Sequence, residues 1–222
     1  VVFHLVCALL LYVLLCRVLV QVELLAQHAE MLAFCSALLW LVHPLNSEVV
    51  YYTVQRSSAL MGMFYLATLY ALVRSLEGDG RWRVLAVMCC TAGMVAKEIM
   101  VSAPVAVLAM DRALTGRSPL GVLRRQPWFY IGMAASWLLL LWGLWHRPHK
   151  DTIGFNYGVD SWTYLLNQAE TIVHYIGLFF WPHPLVLDYG APRILGLADV
   201  WWQSGLVAVL LLIAFWALWR RP

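Results

Sequence analysis

Residues 84–110 read VLAVMCCTAGMVAKEIMVSAPVAVLAM, an apolar run interrupted at its centre by Lys97-Glu98. A hydrocarbon core of about 30 Å takes roughly 20 apolar residues per helix, and each flank of the break has only about 13. A charge at mid-membrane costs about 2.5–3.5 kcal/mol on insertion scales. Adjacent residues do not face each other on a helix, so Lys97 and Glu98 cannot neutralise one another there. The run is therefore predicted as two short helices, rising to Lys97-Glu98 and returning to Asp111-Arg112.

Working outward, the 222 residues are 63% apolar and 12% charged. Soluble domains hold about 45–50% and about 25%, so a water-soluble globule of this size is excluded, as is disorder. The class that remains is a polytopic membrane protein. A net charge of +3 is too small to imply nucleic-acid binding, so no nucleic-acid partner is expected. The five cysteines, Cys7, Cys16, Cys35, Cys89 and Cys90, all lie in apolar segments and read as small hydrophobes rather than a disulfide or metal framework.

Further spans are predicted at 1–16, 31–42, 57–73, 128–145 and 205–219. Sorting the basic residues by side places Arg17, Arg74, Arg81, Arg83, Arg112, Arg117, Arg124, Arg125, Arg220 and Arg221 together. Arg56, Lys97, Arg147, Lys150 and Arg193 fall on the other side. The positive-inside rule assigns the larger set to the cytoplasm. Parity then requires 161–181 to stay at the outer face without crossing. Thr163, Asn167, Glu170 and His174 share one face of that segment, opposite Leu165, Ile172, Ile176 and Phe179, as an interfacial helix requires. Most acidic residues, including Glu48, Glu98, Glu170 and Asp188, fall outside, so the outer face is the working face. A transporter more often places ionisable groups near the midplane of two repeated halves, and no internal repeat is evident.

Three outer groups can carry chemistry. In His43-Pro44-Leu45-Asn46-Ser47-Glu48 the proline ends the second span at His43, and Asn46 or Ser47 can cap a short helix with Glu48 in its first turn. Glu48, Tyr52 and Gln55 would share a face, with Arg56 beside them. Such a set could bind a phosphosugar; equally, Glu48 could only cap and Arg56 only snorkel to the interface. Lys97-Glu98 needs separate partners or a wet cavity, unless it is simply a polar hairpin tip. The third group runs from Trp181 to Gly190 through Pro182, Pro184, Asp188 and Tyr189, and reads either as a site loop or as a turn beside an interfacial tryptophan belt. The histidines lack metal-ligand spacing, and no metal site is expected; two outer carboxylates would allow a divalent ion without demanding one. No G-x-S-x-G occurs.

The ordered set His43-Pro44-x-x-x-Glu48, Gln55-Arg56, Lys97-Glu98 and Pro182-x-Pro184-Leu185-x-x-Asp188-Tyr189-Gly190 resembles the multi-spanning O-mannosyltransferases that carry tetratricopeptide repeats, including their bacterial branch. The resemblance implies an all-α polytopic transmembrane helical bundle of the type C glycosyltransferase kind, with residues 1–222 forming one module with short outer-face helices. It implies transfer of a sugar, mannose above all, from a polyprenyl-phosphate donor to a protein Ser or Thr at the periplasmic face of an inner membrane. Arg56 and Lys97 would hold the donor phosphate. Glu48, Glu98 and Asp188 would be the catalytic carboxylates of this stretch. His43, Tyr52, Gln55, Gln168, His174 and Tyr189 would line the cavity. The family's general base, in a first outer loop, would precede Val1 and its repeats would follow Pro222, so the stretch by itself would be inactive. Ser58 stands where the family usually has an acid, and no basic residue stands near Gly177. The competing classes are a transporter or flippase of lipid-linked or small polar solutes, and a non-catalytic membrane scaffold.

Overall fold

The computed structural model describes residues 1–51, 55–146, 161–186, 193 and 195–220, and among these every regular element is helical. The chain divides into two compact units, one from Val1 to His146 and one from Arg147 to Arg220.

The first unit begins with α1 (Val2–Leu19) and α2 (Ala29–Val42). Pro44 forces His43 into extended backbone (φ −65°, ψ 128°), and α2 stops there. The turn is closed by side chains: His43 Nδ1 accepts from the Leu45 N–H (3.2 Å), and Asn46 Nδ2 donates to the Trp40 carbonyl (2.6 Å). Asn46 thus satisfies the end of α2 directly before the short α3 (Ser47–Tyr51).

Next come α4 (Arg56–Leu76) and α5 (Arg81–Ala96). They form an antiparallel hairpin in which Tyr70 meets Trp82 at one end and Ser58 meets Lys97 at the other. Lys97 breaks the chain with extended backbone (φ −163°, ψ 145°), a tight turn spans Glu98–Ser102, and α6 (Ala103–Thr115) returns. Pro104 fits the first turn of α6, where no N–H is needed. Gly116 ends it at φ 65°, a left-handed cap open to glycine. Ser118 caps α7 (Pro119–Arg125) by accepting from the Gly121 N–H (3.1 Å), and α8 (Pro127–His146) follows.

Cross-links give the directions. His4 Nε2 bonds the Leu41 carbonyl (3.0 Å), so α2 runs against α1. Cys7 reaches Ala59, and Arg17 reaches Glu77, so α1 runs with α4. Cys90 touches Ser136 (3.5 Å), and a Cβ on Gly132 would lie 3.2 Å from Val87, so α5 and α8 run side by side in the same direction. The Trp137 indole donates to the Val101 carbonyl (3.1 Å), which ties the turn after Lys97 to α8. The core is built from small and flexible side chains: Ala71, Leu72, Ala86, Met100, Ala103 and Val107 are fully buried.

One end of this unit collects Arg17, Arg74, Glu77, Arg83, Arg112 and Arg125; the other collects His4, His43, Gln55, Ser58 and Lys97. Large apolar side chains face outward along its length, among them Leu9, Leu39, Met88 and Leu138. Cys7 and Cys90 are buried, whereas Cys35 is exposed.

In the second unit α9 (Ser161–Phe180) packs with α10 (Trp201–Arg220). The polar face of α9 holds the segment around Arg193: Asn167 exchanges hydrogen bonds with its backbone, donating to the carbonyl (2.8 Å) and accepting from the N–H (3.1 Å), and Glu170 pairs with its guanidinium. Leu165, Ile172, Ile176 and Phe179 on the opposite face are exposed.

By length and composition, among the described residues two helices, Val2–Leu19 and Arg56–Leu76, can cross a membrane, or three if the bent pair Glu98–Thr115 and Pro119–Arg125 is one span. Among the described residues the apolar stretches Ala26–Val42, Pro127–Gly143 and Trp201–Ala217 are shorter than the roughly 20 residues of a full crossing.

Candidate functional site

The strongest candidate is the break between α5 and α6. A lysine at the C-terminal end of α5 is favoured by the helix dipole, and the extended backbone of Lys97 releases its side chain from the helix surface. Lys97 Nζ, half-buried, donates to Ser58 Oγ (2.7 Å), and Ser58 Oγ donates to Gln55 Oε1 (2.6 Å). One hydroxyl thus accepts from a cation and passes its own proton to a carboxamide. An ammonium has three N–H donors, so two remain for a ligand.

The turn itself is braced. Met100 is fully buried and folds back under α5, so close that a Cβ on Gly93 would lie 2.7 Å from its Sδ. Ser102 Oγ donates to the Ile99 carbonyl (3.0 Å) and lies within hydrogen-bond distance of Tyr65 Oη (3.3 Å) on α4. The Trp137 bond to Val101 ties the turn to α8. Three helices therefore fix the backbone on which Lys97 stands.

Of the residues singled out from the sequence, the fold brings Lys97 and Gln55 together through Ser58. Arg56 adjoins Gln55 at the start of α4 and is exposed, with no hydrogen bond or ion pair among the described residues. Glu98 is exposed and does not pair with Lys97. A guanidinium and an ammonium thus share one end of the bundle with no carboxylate bonded to either among the described residues. His43 is half-buried at the end of α2, where it caps the turn to α3. Gln168, half-buried, and His174, exposed and stacked edge-on to Tyr175, belong to the second unit. The side chain of Glu48, and Tyr52, Asp188 and Tyr189, lie outside the described residues. His4, at the same end, is buried against Trp40 (ring centroids 4.7 Å) and bonded to Leu41, which makes it a packing residue.

Ser58 is the residue that reading the motifs passes over as a departure, and its bond to Lys97 spans 39 positions. Periodicity carries no signal for such a contact. The opposite end holds two further polar clusters. Arg17 donates to both oxygens of Glu77 (2.7 and 2.6 Å) while Arg74 donates to one of them (3.0 Å). Tyr130 donates to the buried Asp111 carboxylate (2.6 Å). Both clusters tie helices together where the arginines gather.

Among the described residues no group of three or more His, Cys, Asp or Glu side chains is placed to hold a metal ion. What the Lys97 end offers is positive charge on a rigid turn, suited to an anion with few net charges. No protein-family model, curated protein or solved structure matches the chain.

Proposed function

We propose that the chain is the membrane-embedded module of a glycosyltransferase that moves a sugar, mannose in the first instance, from a polyprenyl-phosphate carrier to a protein hydroxyl. In this reading both units are embedded in a bacterial inner membrane, with the Lys97 end of the first unit facing the periplasm and its arginine-rich end the cytoplasm. The observation that carries it is Lys97 at one end of an apolar bundle, held by Ser58 and Gln55 and bonded to no acid among the described residues, with an exposed Arg56 at the same end.

Sugar transfer from a lipid phosphate leaves charge on the departing phosphate, and cations fixed in advance stabilise that charge as it develops. Lys97 and Arg56 take this role. Glu98, on the same turn, is free to orient the acceptor hydroxyl. Outward-facing leucines and valines fit lipid contact, since soluble monomers rarely expose large continuous apolar patches. Apolar helices of 17 residues, such as Ala26–Val42, lie at the lower end of what a bilayer accepts.

The test uses purified wild-type and Lys97→Ala protein, polyprenyl phosphate as ligand, and transfer from polyprenyl-phosphate mannose by the complete protein in membranes. The expected result is a fall in transfer of about 10²–10³-fold with insertion and expression unchanged. Undiminished transfer by Lys97→Ala overturns the assignment.

A transport reading has one observation in its favour: a helix broken at an ionisable residue is a device transporters also use. It requires Lys97 to be reached from both membrane sides in turn. The transferase requires access from the outer side alone, which an impermeant thiol reagent at Ser102→Cys distinguishes.

A further inference from the structure

A groove of about 520 Å³ opens at the arginine-rich end, between the first halves of α5 and α8. Arg83, Arg125 and Gln126 line it together with the apolar Val87, Met88 and Gly132. Gly132 allows this shape: with no side chain there, α8 lies close against Val87 and leaves a smooth apolar floor.

Two polar atoms in its lining have no protein ligand. Arg83 Nε and Gln126 Oε1 are sealed from solvent and make no hydrogen bond among the described residues, and Gln126 is only 8% exposed. Arg125 is exposed and enters no ion pair among the described residues. No acidic residue lines the groove. The nearest carboxylate in sequence, Asp79, accepts instead from the Arg81 backbone N–H (3.1 Å). Two arginines and a glutamine thus line one groove with apolar residues of two helices.

We propose that this groove binds an anionic phospholipid, with its phosphate between Arg83 and Arg125, its headgroup on the Gln126 carboxamide, and one acyl chain along Val87, Met88 and Gly132. The charge asymmetry suits the occupant: basic pockets between helices on the cytoplasmic side meet a leaflet rich in anionic lipid. A free phosphate would satisfy the arginines but leave the apolar lining unexplained. The site is at the opposite end of the bundle from Lys97. It rests on the membrane embedding proposed above and is independent of sugar transfer.

Native mass spectrometry of the detergent-purified chain, with phosphatidylglycerol and phosphatidylcholine of equal chain length, tests the proposal. One phosphatidylglycerol is expected to stay bound per chain, with phosphatidylcholine lost. Arg83→Ala with Arg125→Ala is expected to weaken retention roughly twentyfold, whereas Arg81→Ala with Arg124→Ala, at the same end but outside the groove, changes it less than about twofold. Should the first pair fail to fold, Arg125→Gln alone, at an exposed position, is expected to weaken retention about fivefold. Equal retention of the two lipids, or equal loss in both double variants, overturns the site. Displacement of the lipid by inorganic phosphate at millimolar concentration overturns the acyl channel and leaves an anion site only. Release of the chain from membranes by alkaline carbonate is a separate result and counts against the embedding itself.

Discussion

Ser58 decides how Lys97 is presented. Its hydroxyl is the acceptor that holds the ammonium (2.7 Å), and it is steadied in turn by Gln55 (2.6 Å). Ser58→Ala is expected to cost about 1–2 kcal/mol of stability, in line with a hydrogen bond to a charged group, and to weaken polyprenyl phosphate binding several-fold by letting Lys97 swing. Thermal melting in detergent and a binding titration check the two effects separately. Tyr130→Phe makes a contrasting case. It leaves the buried Asp111 short of its 2.6 Å donor, so a loss of about 1–3 kcal/mol is expected with binding at the Lys97 end unchanged. Both bonds join residues far apart in the chain, so neither was legible in the sequence. What could be read there was the chemistry of single positions: that Lys97 cannot neutralise Glu98, and that both therefore need something else.

At the scale of the element, the hairpin α5–α6 depends on one close approach. Met100 occupies the space that a side chain at position 93 would need, with Sδ 2.7 Å from the ideal Cβ. Gly93→Ala should force Met100 out of its fully buried position and shift the turn carrying Lys97, at a cost of about 1–3 kcal/mol. Adding Met100→Ala is expected to recover part of that loss, and a double-mutant cycle by thermal melting measures the coupling. The break was legible because a charged pair in the middle of an apolar run has few physical solutions. The prolines at positions 44 and 104 were equally informative, since each fixes where helix can start or stop. Asn46 precedes α3 as a capping residue would, and its carboxamide also reaches back to the Trp40 carbonyl (2.6 Å), a contact no sequence pattern specifies. On α9 the amphipathic pattern was visible, but its polar face holds Arg193, a partner no periodicity specifies.

At the scale of the molecule, charge is sorted along the bundle axis: arginines with Glu77 and Asp111 at one end, Lys97 and its hydroxyl partner at the other. In the proposed orientation, Ser102→Cys should react with an impermeant thiol reagent from the outer side and Arg81→Cys only after the inner side is opened, in a background with the native cysteines replaced. Reaction of both from the same side would refute the orientation. The arginine–glutamate cluster is partly exposed, so Glu77→Gln should cost less than about 1 kcal/mol and still less at high salt. The pairing of Cys90 with Ser136 has a wider consequence. Lys97 is seven residues further along α5, which runs parallel to α8, so it stands level with Gly143, about 5 Å of helix below the last residue of α8. A donor phosphate reaching Lys97 would have to sink below that end, and a carrier anchored by its own tail can do so sideways, from within the leaflet. The depth of that descent grows with bilayer thickness. For the proposed transferase, transfer should therefore fall as acyl chains lengthen, and a series of vesicles differing only in chain length would show it.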